Sequence, residues 1–165
     1  ERDNDNTLVL TATLSKTTDP HSADSFGTRV YISADGTTVA ASSPTSRGVN
    51  TTHANCGEVI IFRKVGNVWT KVSTVRHPTP TSGLYFGQDL HLSDDGFTLS
   101  VGVPGGTGGL GEVMFFDIEG STVTYKSNVV SSAVTGGTNF GKAIALPGHS
   151  GDLVGASKFG TYVFD

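Results

Sequence analysis

The chain has 165 residues, of which 36% are hydrophobic and 16% charged, with 11 basic and 15 acidic side chains and a net charge of −4. This length allows one ordinary domain core, and the dispersed charge argues against the clustered basic surface of a nucleic-acid-binding protein. No apolar run reaches the roughly 18 residues of a membrane-spanning helix, so membrane insertion is not expected. The 22 glycines favour short strands joined by turns over helices.

Predicted strands follow one another along almost the whole chain. The polar residues 1–6 precede a β-branched strand at Thr7–Leu14. The pattern predicts eleven further strands, at Thr28–Ser33, Thr38–Ser42, Gly57–Val65, Val68–Arg76, Gln88–Ser93, Phe97–Val103, Gly111–Ile118, Thr122–Val130, Lys142–Leu146, Leu153–Ser157 and Thr161–Phe164. The predicted fold class is therefore all-β.

One phrase occurs three times: a Phe-Gly pair, an apolar strand, a Gly-containing turn and a second strand. Its fixed positions are Phe26, Gly27, Asp35, Gly36 and Pro44, then Phe86, Gly87, Asp95, Gly96 and Pro104, then Phe140 and Gly141. The Asp-Gly pairs are predicted to supply the positive-φ positions of tight hairpins. The third strands are expected to match at Val59, Val113 and Tyr162.

A four-stranded meander that repeats along the chain is typical of a β-propeller blade. We predict one segment over 1–165 with three four-stranded antiparallel blades, at about 26–76, 86–130 and 140–165. A β-sandwich is the alternative. The third unit lacks a fourth strand, which residues 7–14 are suited to supply. Because propellers have about 4–8 blades, we expect either two chains exchanging strands in a six-bladed ring or a fragment of a longer array. The start at Glu1 without a Met favours a processed or excised piece.

The complete phrase, including Gly-x-Pro and the Gly-Glu-Val of the third strand, resembles the FG-GAP repeat. That family forms β-propellers and is known from the ligand-binding heads of integrin α chains. The resemblance implies a propeller in a surface or secreted protein. Calcium-binding members carry clustered carboxylates between the first two strands, whereas the loops here have one or two, too few for a tight Ca²⁺ site. We therefore expect no metal and no other cofactor.

Other candidate chemistry is weak. The GxGxxG sequence at 106–111 leads into a strand instead of a helix, so it is interpreted as a connection and not as a phosphate site. His53 and Cys56 are too few for a zinc site. Neither a nucleophile elbow nor a strand-borne carboxylate pair is present, so an enzyme is not predicted. Arg29 and Asp89 are expected to pair between units, and His91 to be a hydrogen-bonded residue near the axis.

The long connections at 44–56, 77–85, 104–111 and 131–139 would lie on one face of a propeller, where recognition is commonly built. We predict a non-enzymatic extracellular or cell-surface module for protein interaction or adhesion. Its predicted contact residues are Arg47, Asn50, His53, His77, Tyr85 and Leu110. Asn50 also begins a glycosylation sequon.

Two alternatives are a self-assembling subunit, in which the partner is a second copy added by strand pairing, and a lectin-like propeller. In the second alternative, Trp69 or Tyr125 would form a platform for a glycan.

Overall fold

The computed structural model describes residues 7–16, 24–47, 52–130, 139–146, 153–157 and 160–164. Their strands form three sheets. The first contains β1 (Val30–Ile32), β2 (Thr38–Ser43), β3 (Glu58–Val65) and β4 (Val68–Val75); the second β5 (Leu90–Leu92), β6 (Thr98–Val103), β7 (Glu112–Glu119) and β8 (Thr122–Val130); the third β9 (Ala143–Ala145), β10 (Leu153–Ser157) and β11 (Gly160–Phe164). A one-turn helix, α1 (Gly106–Gly109), lies between β6 and β7. The all-β prediction is confirmed, with two four-stranded antiparallel sheets.

Each sheet is a meander in which strands adjacent in sequence pair antiparallel. The β3–β4 and β7–β8 hairpins have two-residue turns that begin with Gly66 and Gly120, each at φ 61°. Glycine at the first central position is the requirement of a type II′ turn, whose twist matches that of the strands. Both hairpins also contain a register shift, after Ile61 in β3 and after Phe115 in β7, which increases the local twist.

The Asp-Gly turns differ from the prediction. Gly36 has φ 70°, but Asp35 does not have positive φ, so one left-handed residue closes a longer loop between β1 and β2. Asp35 acts through its side chain, whose Oδ1 accepts hydrogen bonds from Ser33 Oγ (2.6 Å) and Thr37 N (2.9 Å). These bonds, with one from Thr37 Oγ1, lower the pKa of Asp35 to about 2. The carboxylate is thus fully used in shaping the turn.

The Phe-Gly pairs form turns that connect one sheet to the next. Gln88 N donates to Tyr85 O (2.9 Å) and Gly87 has φ 84°, the requirement of a type II turn. Phe86 lies beside Gly57 at the start of β3 in a parallel bridge. A Cβ on Gly57 would lie 2.1 Å from Phe86 O, so this approach requires glycine. The same bridge joins Gly111 to Phe140.

The core fills the spaces between consecutive sheets. The largest cluster joins the first and second sheets and includes Phe86, whose ring meets Phe116 edge-on at 5.9 Å. A smaller cluster joins the second and third sheets around Phe140, whose ring meets Tyr162 at 6.1 Å. Phe86 and Phe140 are fully buried, whereas Phe26 of the first sheet is half-buried. Each Phe-Gly turn between sheets therefore inserts one ring into the shared core.

The amino-terminal segment does not lie where it was predicted. Residues 7–14 form no strand, only an isolated bridge at Leu8, and β11 belongs to a three-stranded sheet in which it pairs with β10. Leu14 packs against the apolar cluster of the first sheet, and Lys16 Nζ lies 2.6 Å from Glu58 Oε1. The prediction of a fourth strand that completes the third sheet is therefore wrong within a single chain, because these contacts hold the segment against the first sheet.

The third sheet also corrects the predicted register. Gly155 faces Tyr162, where Ala41 faces Ile60 and Val101 faces Met114. Tyr162 therefore corresponds to Ile60 and Met114, and not to Val59 and Val113 as the sequence suggested. A one-residue slip exchanges the two faces of a strand, which explains how Tyr162 reaches Phe140.

Candidate functional site

A pocket of about 340 Å³ opens where the second and third sheets meet. Its lining residues are Gly83, Tyr85, Gln88, Pro104, Gly105, Asn139 and Lys142. Tyr85 and Asn139 each precede a Phe-Gly pair, and Gln88 and Lys142 each follow one. Two successive Phe-Gly turns and the connection between β6 and α1 thus build the pocket. Its volume is at the lower end of the range of about 300–1,000 Å³ for small-molecule sites.

The first wall is the connection that leads into β5. Gly83 N donates to Ala54 O and Tyr85 N donates to Asn55 O, both at 2.9 Å. Asn55 Nδ2 also lies 3.4 Å from the Tyr85 hydroxyl. Tyr85 and Asn139 have φ values of 54° and 52°, a left-handed conformation that costs about 1–3 kcal/mol outside glycine. Ser25 has the same conformation before the first Phe-Gly pair, so this strain belongs to the turn and not specifically to the pocket.

The second wall is the chain after β6, at Pro104 and Gly105. Gly105 N donates to Leu84 O (3.0 Å). A Cβ on Gly105 would lie 1.9 Å from Gly83 O, so any side chain there would separate the two walls. The pocket therefore depends on a glycine whose φ of −89° is ordinary and whose role is close backbone packing.

The side chains of the pocket combine one cation with neutral polar groups. Lys142 contributes an ammonium, Gln88 and Asn139 contribute amides, and Tyr85 contributes a hydroxyl. None of the lining residues that the structure describes is acidic. Such a set of donors with a single positive charge suits a small anion that carries hydroxyl groups.

A carboxylate directly before β5, adjacent in sequence to Gln88 of the pocket, is already bound. Asp89 is buried, and its Oδ1 accepts from Arg29 Nε (2.8 Å) while its Oδ2 accepts from Ile144 N (2.9 Å). The predicted pairing of Arg29 with Asp89 is confirmed, and Asp89 also binds the third sheet. It therefore links Arg29, directly before β1, with Ile144 of β9.

Behind the second wall lies a buried acid, Glu112. Its Oε1 is 3.2 Å from His77 Nε2, and its Oε2 accepts from Asn128 Nδ2. The hydrogen bond with Glu112 raises the pKa of His77, and the same bond lowers the pKa of Glu112 against the opposing effect of burial. Glu58 holds the corresponding place in the first sheet, where it pairs with Lys16 and Arg76.

Glu58 is, like Glu112, a buried carboxylate with charged partners. Burial favours the neutral acid, but the Lys16 hydrogen bond and the charges of Arg76 and Lys16 hold the pKa of Glu58 below its ordinary value. Both glutamates belong to a Gly-Glu-Val sequence at the start of a third strand. This recurrence is the signal by which their shared role could have been found.

Of the five predicted contact residues that the structure describes, Tyr85 alone lines the pocket. His77 is half-buried and pairs with Glu112. Leu110 is half-buried, and its carbonyl accepts from Phe140 N (3.1 Å), so it belongs to the junction between sheets. The sequence reasoning missed Gln88, although it directly follows a Phe-Gly pair.

The remaining predicted residues do not join this pocket. Arg47 is exposed, and His53 is half-buried with its Nδ1 lacking a hydrogen-bond partner among the residues described. Asn50 lies outside the described residues, as does most of the predicted 131–139 connection. Cys56 is buried and bonds through Sγ to Ser46 O.

Other motifs are placed as follows. The GxGxxG sequence forms α1, with left-handed φ at Thr107 and Gly108, and runs into β7, so its interpretation as a connection is confirmed.

His91 packs its ring on Tyr31 at 4.9 Å, and its Nδ1 has no hydrogen-bond partner in the described part of the chain. Over the same residues, no cluster of three His, Cys, Asp or Glu side chains could hold a metal ion. The described part contains no helix of the length and hydrophobicity needed to span a membrane.

No protein-family model matches the sequence, and no curated protein does either. Among solved structures, the chain is similar to a protein from Bacteroides fragilis that is named, provisionally, a 6-phosphogluconolactonase. The sequences are 18% identical and the TM-score is 0.53. The match covers 77% of this chain and 30% of the solved chain, so the chain spans about a third of its length. At this identity the likeness concerns the fold.

This likeness contradicts the predicted non-enzymatic adhesion module and its alternatives, because the protein that shares the fold is named as an enzyme. The physical error was to treat long connections as a sign of a broad protein-binding surface. Three of those connections, 77–85, 104–111 and 131–139, instead contribute residues that line a pocket of small-molecule size.

Proposed function

We propose that this chain is part of a β-propeller that binds a small anionic, polyhydroxylated molecule in the pocket between the second and third sheets. The observation that carries the proposal is the convergence of Lys142 with Gln88, Asn139 and Tyr85 around about 340 Å³. An ammonium pairs with an anionic group, while amides and a hydroxyl exchange hydrogen bonds with sugar hydroxyls.

Two observations support the propeller. Successive meanders are joined by equivalent Phe-Gly turns, as expected for sheets arranged around an axis. Asp89, directly before β5, also connects Arg29, directly before β1, with Ile144 of β9. The match to about a third of a larger solved chain is consistent with this chain being a segment of such a ring.

The name of the solved neighbour indicates a ligand class to test. A phosphorylated gluconolactone, and the 6-phosphogluconate formed when its ring opens, combine hydroxyl groups with anionic groups. These groups match the donors that line the pocket. We therefore choose 6-phosphogluconate as the first probe.

Titration calorimetry of the full chain tests the proposal. We expect 6-phosphogluconate to bind the wild-type protein and Lys142→Met to weaken binding by about tenfold or more, because a hydrogen bond to a charged group contributes roughly 1.5–3 kcal/mol. Lys126→Met is the matched control, since Lys126 is an exposed β8 residue that pairs with Asp117 outside the pocket. Absence of binding to the wild type, or equal loss in both variants, would contradict the proposal.

The prediction that the chain is not an enzyme is tested in the same samples by following hydrolysis of the lactone. Acceleration by the wild type that disappears in Lys142→Met would overturn it. FG-GAP membership, a surface location, and a protein or second copy as partner remain predictions.

A further inference from the structure

Glu112, behind the second wall, contacts both connections that form the walls of the pocket. Through Oε1 it meets His77, which begins the connection that forms the first wall. A Cβ on Gly106 would lie 2.3 Å from the same Oε1, so the backbone next to Gly105 in the second wall packs directly on this carboxylate. Glu112 is 4% exposed and is fixed from the other side by Asn128 of β8.

The surroundings of His77 change with its protonation. Its Nδ1 lies 2.9 Å from Thr79 O and 3.1 Å from Thr79 N. Neutral His77 that donates to Glu112 through Nε2 can accept at Nδ1 from Thr79 N or from Thr79 Oγ1 (3.2 Å), whereas protonated His77 donates from Nδ1 to Thr79 O or Oγ1. Protonation therefore changes the hydrogen bonding of the connection that leads to Gly83 and Tyr85.

We infer that Glu112 is a positioning residue of the pocket and that, with His77, it forms a clamp whose hold on the two walls weakens when His77 loses its proton. The expected effect on ligand affinity rests on the proposed function, whereas the clamp itself can be observed without a ligand. Among the residues described, the charge that acts on His77 is that of Glu112, and the charge that acts on Glu112 is that of His77.

The pH window follows from the direction of the two pKa shifts. The folded-state pKa of His77 is raised above 6.5, so its contribution is complete below 6.5 and is lost as pH rises through the raised value. The folded-state pKa of Glu112 is lowered below 4.5, so its contribution is present above 4.5 and is lost as pH falls through the lowered value. The clamp is therefore complete between about pH 4.5 and 6.5 and relaxes as pH rises through the raised pKa of His77.

The first test needs no ligand. In ¹⁵N-labelled protein, we expect the amide shifts of Gly83, Gly105 and Gly106 to titrate together with the His77 ring, at a midpoint above 6.5. His77→Gln retains a donor for Glu112 without a titrating group, so these shifts should stay constant between about pH 5.5 and 8.5. Wild-type amides that do not follow His77, or amides that titrate unchanged in His77→Gln, would overturn the clamp.

The second test measures binding of gluconate, whose carboxylate stays charged throughout this range. We expect wild-type affinity to fall as pH rises from 6 through the raised pKa of His77, by about tenfold for each unit by which ligand binding raises that pKa further. Glu112→Gln should bind more weakly at pH 6 with little pH dependence, and His77→Gln should bind with constant affinity. Equal pH dependence in wild type and His77→Gln would contradict the inference. Absence of gluconate and 6-phosphogluconate binding would count against the proposed function, while the amide shifts would still decide the clamp.

Discussion

At the scale of single residues, several glycines of this chain are required by neighbouring backbone. Gly57 combines φ 81° with a Cβ position 2.1 Å from Phe86 O. Gly66 has a similar φ of 61° but no atom within 4 Å of its Cβ position. The two positions therefore separate the cost of a left-handed conformation from the cost of a steric clash.

We expect Gly66→Ala to lower the free energy of unfolding by about 1–2 kcal/mol, the penalty of a left-handed L-residue. Gly57→Ala adds overpacking against Phe86, worth about 1–3 kcal/mol more, and should loosen the junction between the first two sheets. Urea denaturation of the two variants gives the comparison. Equal losses would show that the contact between Gly57 and Phe86 is unimportant.

At the scale of secondary-structure elements, the Phe-Gly turn is the device that joins one sheet to the next. It places a buried ring between sheets, and its backbone bridges to the start of the preceding third strand. The repeated phrase predicted where the strands occur, because alternation and turn residues are local. The repeated phrase did not show that Phe86 N donates a hydrogen bond to Cys56 O, since that bond joins two connections 30 residues apart.

Removal of one such ring should be costly. We expect Phe86→Ala to lower the free energy of unfolding by about 3–5 kcal/mol, because a fully buried ring leaves a cavity. Phe97→Ala is the control: Phe97 is 53% exposed and has the Arg63 guanidinium 5.8 Å from its ring centroid, so the loss should stay near 1 kcal/mol. Losses of similar size, measured by urea denaturation, would contradict the account of the junction.

At the scale of the whole molecule, the strands were predictable and several long-range relations were not. Eleven of the twelve predicted strands occur, each within about two residues of its predicted ends. The twelfth, Thr7–Leu14, has a β-branched sequence but lies against the first sheet through Leu14. Its local propensity did not decide the outcome, because pairing depends on a partner elsewhere.

The pocket was only partly predictable. Tyr85 was identified from the length of its connection, but Gln88 and Lys142 were not, because they are 54 residues apart and meet only when consecutive turns stack. Glu112 was overlooked because a Glu in a strand carries no local sign of its partner His77. Sequence periodicity thus located the scaffold, and the packing of sheets determined the site.

The most direct test of the central claim is the map of amide shifts in ¹⁵N-labelled protein when 6-phosphogluconate is added. Binding in the pocket predicts changes concentrated at Tyr85, Gln88, Gly105, Asn139 and Lys142, with strand β4 of the first sheet unaffected. Changes centred elsewhere, or none at millimolar probe, would contradict the claim that this pocket binds a small polyhydroxylated anion.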